Sequence, residues 1–578
     1  MTDGTTTLRD LLSDRNPLAP LARARASAEA GRRRLGVVVG GSLNDGLDVK
    51  LDRDTYTEGL AVGSYVTIDG QTDRKFFGLI TDIRLDAIDP NAQKMPPPAG
   101  DDLLAQVYRG TTVFGALRVK PMLMLERDTG DPRPVKTVPA HFTPVYSATP
   151  QEVEAIFAAQ DAGKAYEIGS SIEDETIKIK IDLERFVERS SAIFGRSGTG
   201  KTFLALPLLA GVVRNEVASV LIFDMHNDYG YTLKGDRRQA PFKGLKQLSA
   251  IASRVVVVSL DEESSRARKA GYEFALHVGY NQIEPEDLET LKSVLSLSDV
   301  QVNALFMLHR KFGADWLRKL TNEEGDPEIS ELLEGNKIAE GTYHAIQRKL
   351  LRLLKFDFLR ERVADNFVER ILLHLTRGDS VVVEFGRYGN DLPAYVFVAN
   401  FITRRIHKRY VELKEQAEGR GAAGSEGPRQ LVIAVEEAHK FLDPEVAQHT
   451  IFGTIARELR KYNVTLLIVD QRPSQIDSEV MSQIGTRITC ALSDERDIAA
   501  VFTGVSGAQQ LRSVLAALDS KQQALIMGHA VPMPVVVRTR EYGEAVYQEY
   551  AGDALSPDER HARNAKRLGR DDDDALVR

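Results

Sequence analysis

Residues 195–202, Gly195-Arg196-Ser197-Gly198-Thr199-Gly200-Lys201-Thr202, fit the pattern G-x-x-x-x-G-K-[ST] in full and are of the types needed to hold a triphosphate. Glycines let the backbone turn so that successive N–H groups converge on phosphate oxygens. A helix beginning at Lys201 adds the positive end of its dipole. The Lys201 ammonium then reaches the β- and γ-phosphates, and the Thr202 hydroxyl holds Mg²⁺. An apolar strand end (SSAIF) precedes the loop and a helical run (FLALPLLAGVV) follows it, the context such a loop requires. ATP and Mg²⁺ are the expected ligands.

Hydrolysis needs a second element, and LVIAVEEAH supplies one: an apolar strand that ends in Glu436 and Glu437. Consecutive strand residues point to opposite faces, so the two carboxylates take different roles. Glu436 is assigned to the metal and Glu437 to the attacking water. Gln471, at the exit of VTLLIVDQ, either senses the γ-phosphate and water or caps its own turn. Arg457 and Arg460 lie three apart on one helical face, where each is either an arginine finger for a neighbour's nucleotide or part of a solvated face. Asp224, His226 and Asp228 follow the strand SVLIFD and reach the metal shell or phosphates, unless they are ordinary turn formers. The basic runs RRIHKR (404–409) and 457–461 are candidate nucleic-acid surfaces. Trp316 and Cys490 read as packing residues.

The elements that position these groups follow from hydrophobic patterning. Short β-branched runs from Leu35 onward, broken by Gly, Asn and Asp, predict a small antiparallel barrel or sandwich ending near Pro150, with KMPPPAGDD as a loop inside it. Beyond it, Val/Ile/Leu-rich strands at 219–225, 254–260, 380–385, 430–437, 464–471 and 486–492 alternate with helical patterns, which predicts a parallel sheet covered on both faces. The expected boundaries are an arm over 1–30, the barrel over 31–150, sheet domain over 151–282 and 377–545, a helical insertion over 283–376, and a tail over 546–578. A Gly/Ala loop is expected at 418–427.

Composition narrows the class. With 75 Lys plus Arg against 83 Asp plus Glu, the formal charge is −8, so bulk charge does not coat nucleic acid, although a local basic channel remains open. A single cysteine permits no internal disulfide and no Cys-rich zinc site. No run approaches the roughly 18 apolar residues of a membrane span, and MTDGTTTLRDLL lacks the apolar core of a secretory signal. A cytoplasmic location without a membrane is expected.

With these residues in hand, the chain resembles the HerA family of the FtsK–HerA superfamily of hexameric P-loop translocases. The matching segments are RSSAIFGRSGTGKT, VLIFDMHNDYG, VIAVEEAHKFL, IVDQRPSQI and ALIMGHAVPMPVVVRTR. Glu436 stands where that family usually has Asp, and Asn227-Asp228 where Gly-Glu is usual. The resemblance implies an α/β fold: a RecA-like P-loop ATPase core with a parallel-rich central sheet and a helical insertion, plus an N-terminal barrel like that of ATP-synthase subunits. It also implies a homohexamer with nucleotides between subunits and duplex DNA in a central channel. A NurA-type nuclease is the implied partner, or a defence effector (sirtuin-like or nuclease). The expected function is an ATP-driven DNA translocase or helicase in end processing or antiviral defence. The alternative is an ATP-gated hexameric scaffold that licenses an effector with little translocation.

Overall fold

The computed structural model describes residues 32–551 apart from 72–73, 95, 110, 127–131, 158–163, 233–241, 323–325, 336, 420–426, 449, 459–460, 506 and 520. The expected arm, most of the tail and most of the Gly/Ala loop therefore lie outside the described residues, as does Arg460. The chain divides into two compact units, Met1–Ile156 and Phe157–Arg578.

The first unit is built from β1 (Arg34–Ser42), β2 (Gly46–Leu51), β3 (Tyr65–Asp69), β4 (Arg74–Ala87), β5 (Val113–Glu126), β6 (Pro132–Pro134) and β7 (Pro144–Ser147). The strand order is β2-β1-β7-β3-β4-β5-β6, and β2 also pairs with β5, which closes a barrel and leaves β6 outside it. Inward side chains of these strands, among them Leu35, Val49, Ile68, Leu117, Val119 and Val145, form one apolar core. Where β1 crosses β2 the backbones nearly touch: a Cβ on Gly36 would stand 2.0 Å from the Lys50 carbonyl oxygen. Pro96, Pro97 and Pro98 lie outside the ladder, as expected, but the excursion between β4 and β5 is more than a loop. It carries the helices Pro90–Lys94 and Asp102–Tyr108. Asp101 starts the second by accepting the Leu104 N–H at 3.0 Å, a side-chain N-cap.

The second unit is organised on one sheet. Its strands are β8 (Ala165–Ser171), β9 (Lys178–Asp182), β10 (Ser191–Phe194), β11 (Ser219–Asp224), β12 (Val255–Ser259), β13 (Phe274–Ala275), β16 (Ser380–Glu384), β17 (Leu431–Glu436), β18 (Val464–Asp470), β19 (Thr486–Cys490), β20 (Gln523–Gly528) and β21 (Val535–Thr539). A separate pair, β14 (Val278–Gly279) with β15 (Leu359–Arg360), brackets most of the helical stretch. The order is β13-β12-β16-β11-β17-β18-β10-β19-β20-β21-β8-β9. From β13 to β19 every pairing is parallel. β11, β12, β16, β17, β18 and β19 are buried at every residue, as strands covered on both faces must be. The expectation of a parallel sheet is incomplete at one end, because β20, β21, β8 and β9 extend it antiparallel. Short links join β8 to β9 and β20 to β21, and links of that length produce hairpins.

Between β14 and β16 the chain is largely helical, from Pro285–Glu289 to Phe367–Thr376. Trp316 is fully buried there and donates its indole N–H to the Ile283 carbonyl at 2.9 Å, so it is a core residue. Among the described residues no helix is long and apolar enough to cross a membrane. The long helix Leu392–Gly419 bears the RRIHKR run, and the structure corrects its reading as a free phosphate surface. Arg404 donates to Asp287 at 3.0 and 3.1 Å and to Glu284. Arg405 donates to both Asp287 oxygens, at 2.9 and 3.0 Å, and stacks 3.5 Å above the Phe401 ring. Asp287 is only 1% exposed, so two guanidiniums and one buried carboxylate fasten the helical stretch to this helix. Lys408 alone of the run's cations is exposed, the others being half-buried.

Replacing Asp287 with Ala leaves two part-buried guanidiniums without their carboxylate and should destabilise the fold by about 3 kcal/mol. Arg409→Ala, which breaks a surface pair with Glu412, should cost less than about 1 kcal/mol. Urea unfolding midpoints of the two variants check the contrast.

Candidate active site

β10 delivers the glycine-rich loop. After Phe194 the chain turns through Gly198 (φ 79°) and Gly200 (φ 91°), and the helix Lys201–Arg214 starts at once. These left-handed positions suit glycine. At Gly195 a Cβ would lie 2.6 Å from Thr199 Oγ1 and 2.9 Å from Cys490 Cβ, so the loop packs directly on β19. Thr199 Oγ1 donates to the Arg196 carbonyl at 2.8 Å and Lys201 Nζ to the same carbonyl at 3.2 Å. Arg196, Ser197 and Gly198 are exposed, while Lys201 and Thr202 are half-buried at the helix start. Burial pulls the Lys201 ammonium below its usual range, against Glu437, Asp470 and Glu436, which favour its charge. Burial also pushes the Cys490 thiol up to about 11, consistent with a packing role.

Beside this loop, the carboxyl ends of four neighbouring strands carry buried acids: Glu384 on β16, Asp224 on β11, Glu436 on β17 and Asp470 on β18. Asp224 Oδ1 accepts the Asp228 N–H at 2.7 Å, and Oδ2 accepts those of Tyr229 and Gly230 at 2.9 and 3.2 Å. Burial and the neighbouring Glu384 push it up to about 7. Its contacts match the turn-forming reading rather than a direct phosphate or metal contact. Asn227, at φ 60°, accepts the Gly386 N–H at 2.9 Å and fixes the same turn. His226 is exposed at its tip, and Asp228 is half-buried.

That turn delivers Tyr229, whose hydroxyl donates to Glu436 Oε1 at 3.1 Å. Tyr395 donates to the Glu436 carbonyl at 3.0 Å. Glu436 Oε2 is buried and lacks a hydrogen-bond partner. Burial, then Asp224 and Asp228, push this carboxyl up to about 8. A buried lone pair with no donor, amid excess negative charge, suits a divalent cation. Among the described residues no cluster of three or more metal-ligating side chains exists. Mg²⁺ sites commonly complete their shell with water and substrate phosphates, so Glu436 and Thr202 fit that pattern.

Glu437 corrects the alternation argument. β17 ends at Glu436, and Glu437 has φ 48°, a left-handed conformation that costs a non-glycine residue roughly 1–2 kcal/mol. The turn, not strand alternation, separates the two carboxylates. Gln471 Nε2 donates to Glu437 Oε1 at 2.6 Å, and His439 Nδ1 stands 3.6 Å from Oε2. Asp470 accepts the His439 backbone N–H at 2.8 Å and contacts Nδ1 at 3.0 Å. Burial opposes its charge, but these bonds and the Arg472 N–H hold the Asp470 carboxyl below its ordinary range.

The arginines are less concentrated. Arg457, on the helix Ile451–Glu458, has Nε 3.2 Å from Glu479 and so has an intrachain partner. Arg472 is exposed beside Gln471. Sequence reasoning missed four groups: Tyr229, Asp470, His439 and Lys440. Lys440 is half-buried, in the field of Glu437, Asp470 and Glu436, and its Nζ donates to Met225 Sδ at 3.5 Å. A signal existed, since His439 and Lys440 follow the paired acids within one turn and Asp470 directly precedes Gln471. The arrangement can bind a triphosphate at a positive loop, hold a cation at Glu436 and take a proton from water at Glu437.

Residues 166–406 match the family model described as helicase HerA, central domain, and residues 35–95 match the HAS barrel domain. The DNA double-strand break repair helicase HerA of Sulfurisphaera tokodaii is 24% identical, over 88% of this chain and 93% of that protein. Its namesake from Pyrococcus furiosus is 23% identical, over 71% of this chain and 76% of that protein. Among solved structures, VirB4 of Thermoanaerobacter pseudethanolicus aligns with a TM-score of 0.42 and 14% identity, covering 66% of this chain and 98% of that one.

A hydrogen bond to a charged group contributes about 1.5–3 kcal/mol, so Gln471→Ala should lower kcat roughly 10- to 100-fold. Steady-state kinetics should show a smaller change in KM for ATP. An unchanged kcat would restore the simple turn-capping reading of Gln471.

Proposed function

The chain belongs to the HerA family, and from that premise we propose that it is a hexameric ATP-driven DNA translocase. In this reading it works with a partner nuclease (of NurA type) or a defence effector, in DNA end processing or antiviral defence. It is a P-loop ATPase that uses ATP and Mg²⁺. The observation that carries the reading is the placement of the glycine-rich loop after β10 and of Glu436 and Glu437 at and just past the end of β17, the two parallel strands that flank β18.

In this proposal the N–H groups of residues 195–200 and the Lys201 ammonium bind the phosphates. Thr202 and Glu436 hold Mg²⁺, which neutralises phosphate charge when bound. Glu437 takes the proton of the attacking water, and Gln471 orients Glu437. The loop is exposed at Arg196–Gly198, which leaves room for a neighbouring subunit to complete the site. Arg457 or Arg460 of that neighbour is the proposed finger, which for Arg457 requires release from Glu479.

Three measurements test the proposal together. Lys201→Ala should abolish hydrolysis and weaken nucleotide binding. Glu437→Gln should still bind ATP but lose turnover by roughly 10²- to 10⁴-fold, the contribution of a general base. The wild-type protein should run as a hexamer by native mass measurement and hydrolyse ATP faster with duplex DNA. A monomer in every nucleotide state, or a rate indifferent to DNA, would overturn the translocase reading.

A further inference from the structure

The helical stretch of the second unit encloses a cleft of about 870 Å³, remote in sequence from the glycine-rich loop. Arg318, Lys319, Arg348, Arg352 and Lys355 line it, against the carboxylates of Asp326 and Glu361. Such an excess of cations is unexpected in a chain with a formal charge of −8. Two of the five have partners: Lys319 binds Asp326 at 3.0 Å and Glu328 at 3.3 Å, and Arg318 lies 3.4 Å from Asp315. Arg348, Arg352 and Lys355 differ. They are exposed, they have neither a hydrogen bond nor an ion pair among the described residues, and they belong to one helix and its immediate end, Glu340–Leu353.

Arg348 and Arg352, at i and i+4, share one helical face, and Lys355 stands two residues beyond the last helical residue, Leu353. At about 1.5 Å rise per residue the two arginines stand roughly 6 Å apart along the helix axis, and Lys355 continues the positive charge just past the helix end. The opposite face of this helix is anchored through Tyr343, Ile346, Leu350 and Leu353, all buried. The positive charge is therefore held by the core and is not a mobile tail. Like charges held together without counterions repel one another, and a polyanion relieves that repulsion.

We infer that this cleft is a second DNA contact, separate from the ATPase site, at which Arg348, Arg352 and Lys355 bind the phosphate backbone of duplex DNA. The inference rests on the DNA-translocase reading above. A sequence-independent duplex contact suits the chemistry better than a single-strand site, which needs a series of aromatic platforms for the bases. Tyr280 is the one aromatic residue among those lining the cleft. Phosphate contacts of this kind carry affinity and salt sensitivity and no sequence information.

The test is the salt dependence of duplex binding by the full chain, wild type against Arg348→Ala/Arg352→Ala/Lys355→Ala. The three side chains are exposed and lie outside the ATPase machinery, so basal ATPase and the unfolding midpoint should stay at wild-type values. Each neutralised phosphate contributes about 0.9 to the slope of log K against log salt. The triple variant should therefore show a slope shallower by about 2.7. Equal slopes for the two proteins would overturn the inference and leave the translocase reading standing. A wild-type protein that binds no duplex at low salt would overturn both. A slope change reproduced by an acidic polypeptide competitor, with DNA affinity unchanged at low salt, would assign the cleft to a protein ligand and overturn the inference as stated.

Discussion

The second unit depends on one electrostatic constraint: negative charge buried at the carboxyl edge of a parallel sheet. Glu384, Asp224, Glu436 and Asp470 stand at the ends of β16, β11, β17 and β18, which are adjacent strands. Carboxylates in such surroundings repel one another and lose hydration, so each must be answered locally. Arg268 answers Glu384 at 2.5 Å, three backbone N–H groups answer Asp224, and His439 with two N–H groups answers Asp470. Glu436 is answered on one oxygen only. Glu384 and Glu436 each keep one buried oxygen, Oε1 and Oε2, without a hydrogen-bond partner, but Glu384 has the Arg268 guanidinium on its other oxygen whereas Glu436 has only the Tyr229 hydroxyl.

Several details follow from that constraint. The turn after β11 is rigid because Asp224 draws its N–H groups inward, and its rigidity presents Tyr229 to Glu436. The link from β18 into Pro473 is fixed because Asp470 and Gln471 reach opposite sides of the turn after β17. A site assembled from four strand ends requires those ends to be level, which parallel pairing secures through its even register. The antiparallel strands β20, β21, β8 and β9 complete the sheet beyond β19 and supply none of these acids.

Much of this could be read from one-dimensional pattern. Buried strands announce themselves as unbroken Val/Ile/Leu runs, and the loop from Gly195 to Thr202 fixes the polarity of the strand before it and the helix after it. What stayed hidden depends on contacts between residues far apart in sequence. No periodicity reveals that Arg404 and Arg405 are consumed by Asp287, more than a hundred residues earlier, so the run looked free. Nor does alternation predict that Glu437 leaves the strand, turns left-handed and meets Gln471, which lies just past the end of β18. The direction of β20 is not legible in its apolar run, which suits either direction, and its long helical link from β19 would equally allow a parallel crossover.

The hold of Gln471 on Glu437 has a geometric consequence. The amide occupies Oε1 and leaves Oε2 without an amide donor, so the bond holds the Glu437 carboxylate in one direction and sets which of its oxygens stays available. Without the amide the carboxylate would be free to swing out of that direction, so a side chain that does no bond-making of its own fixes the aim of one that is placed to do it.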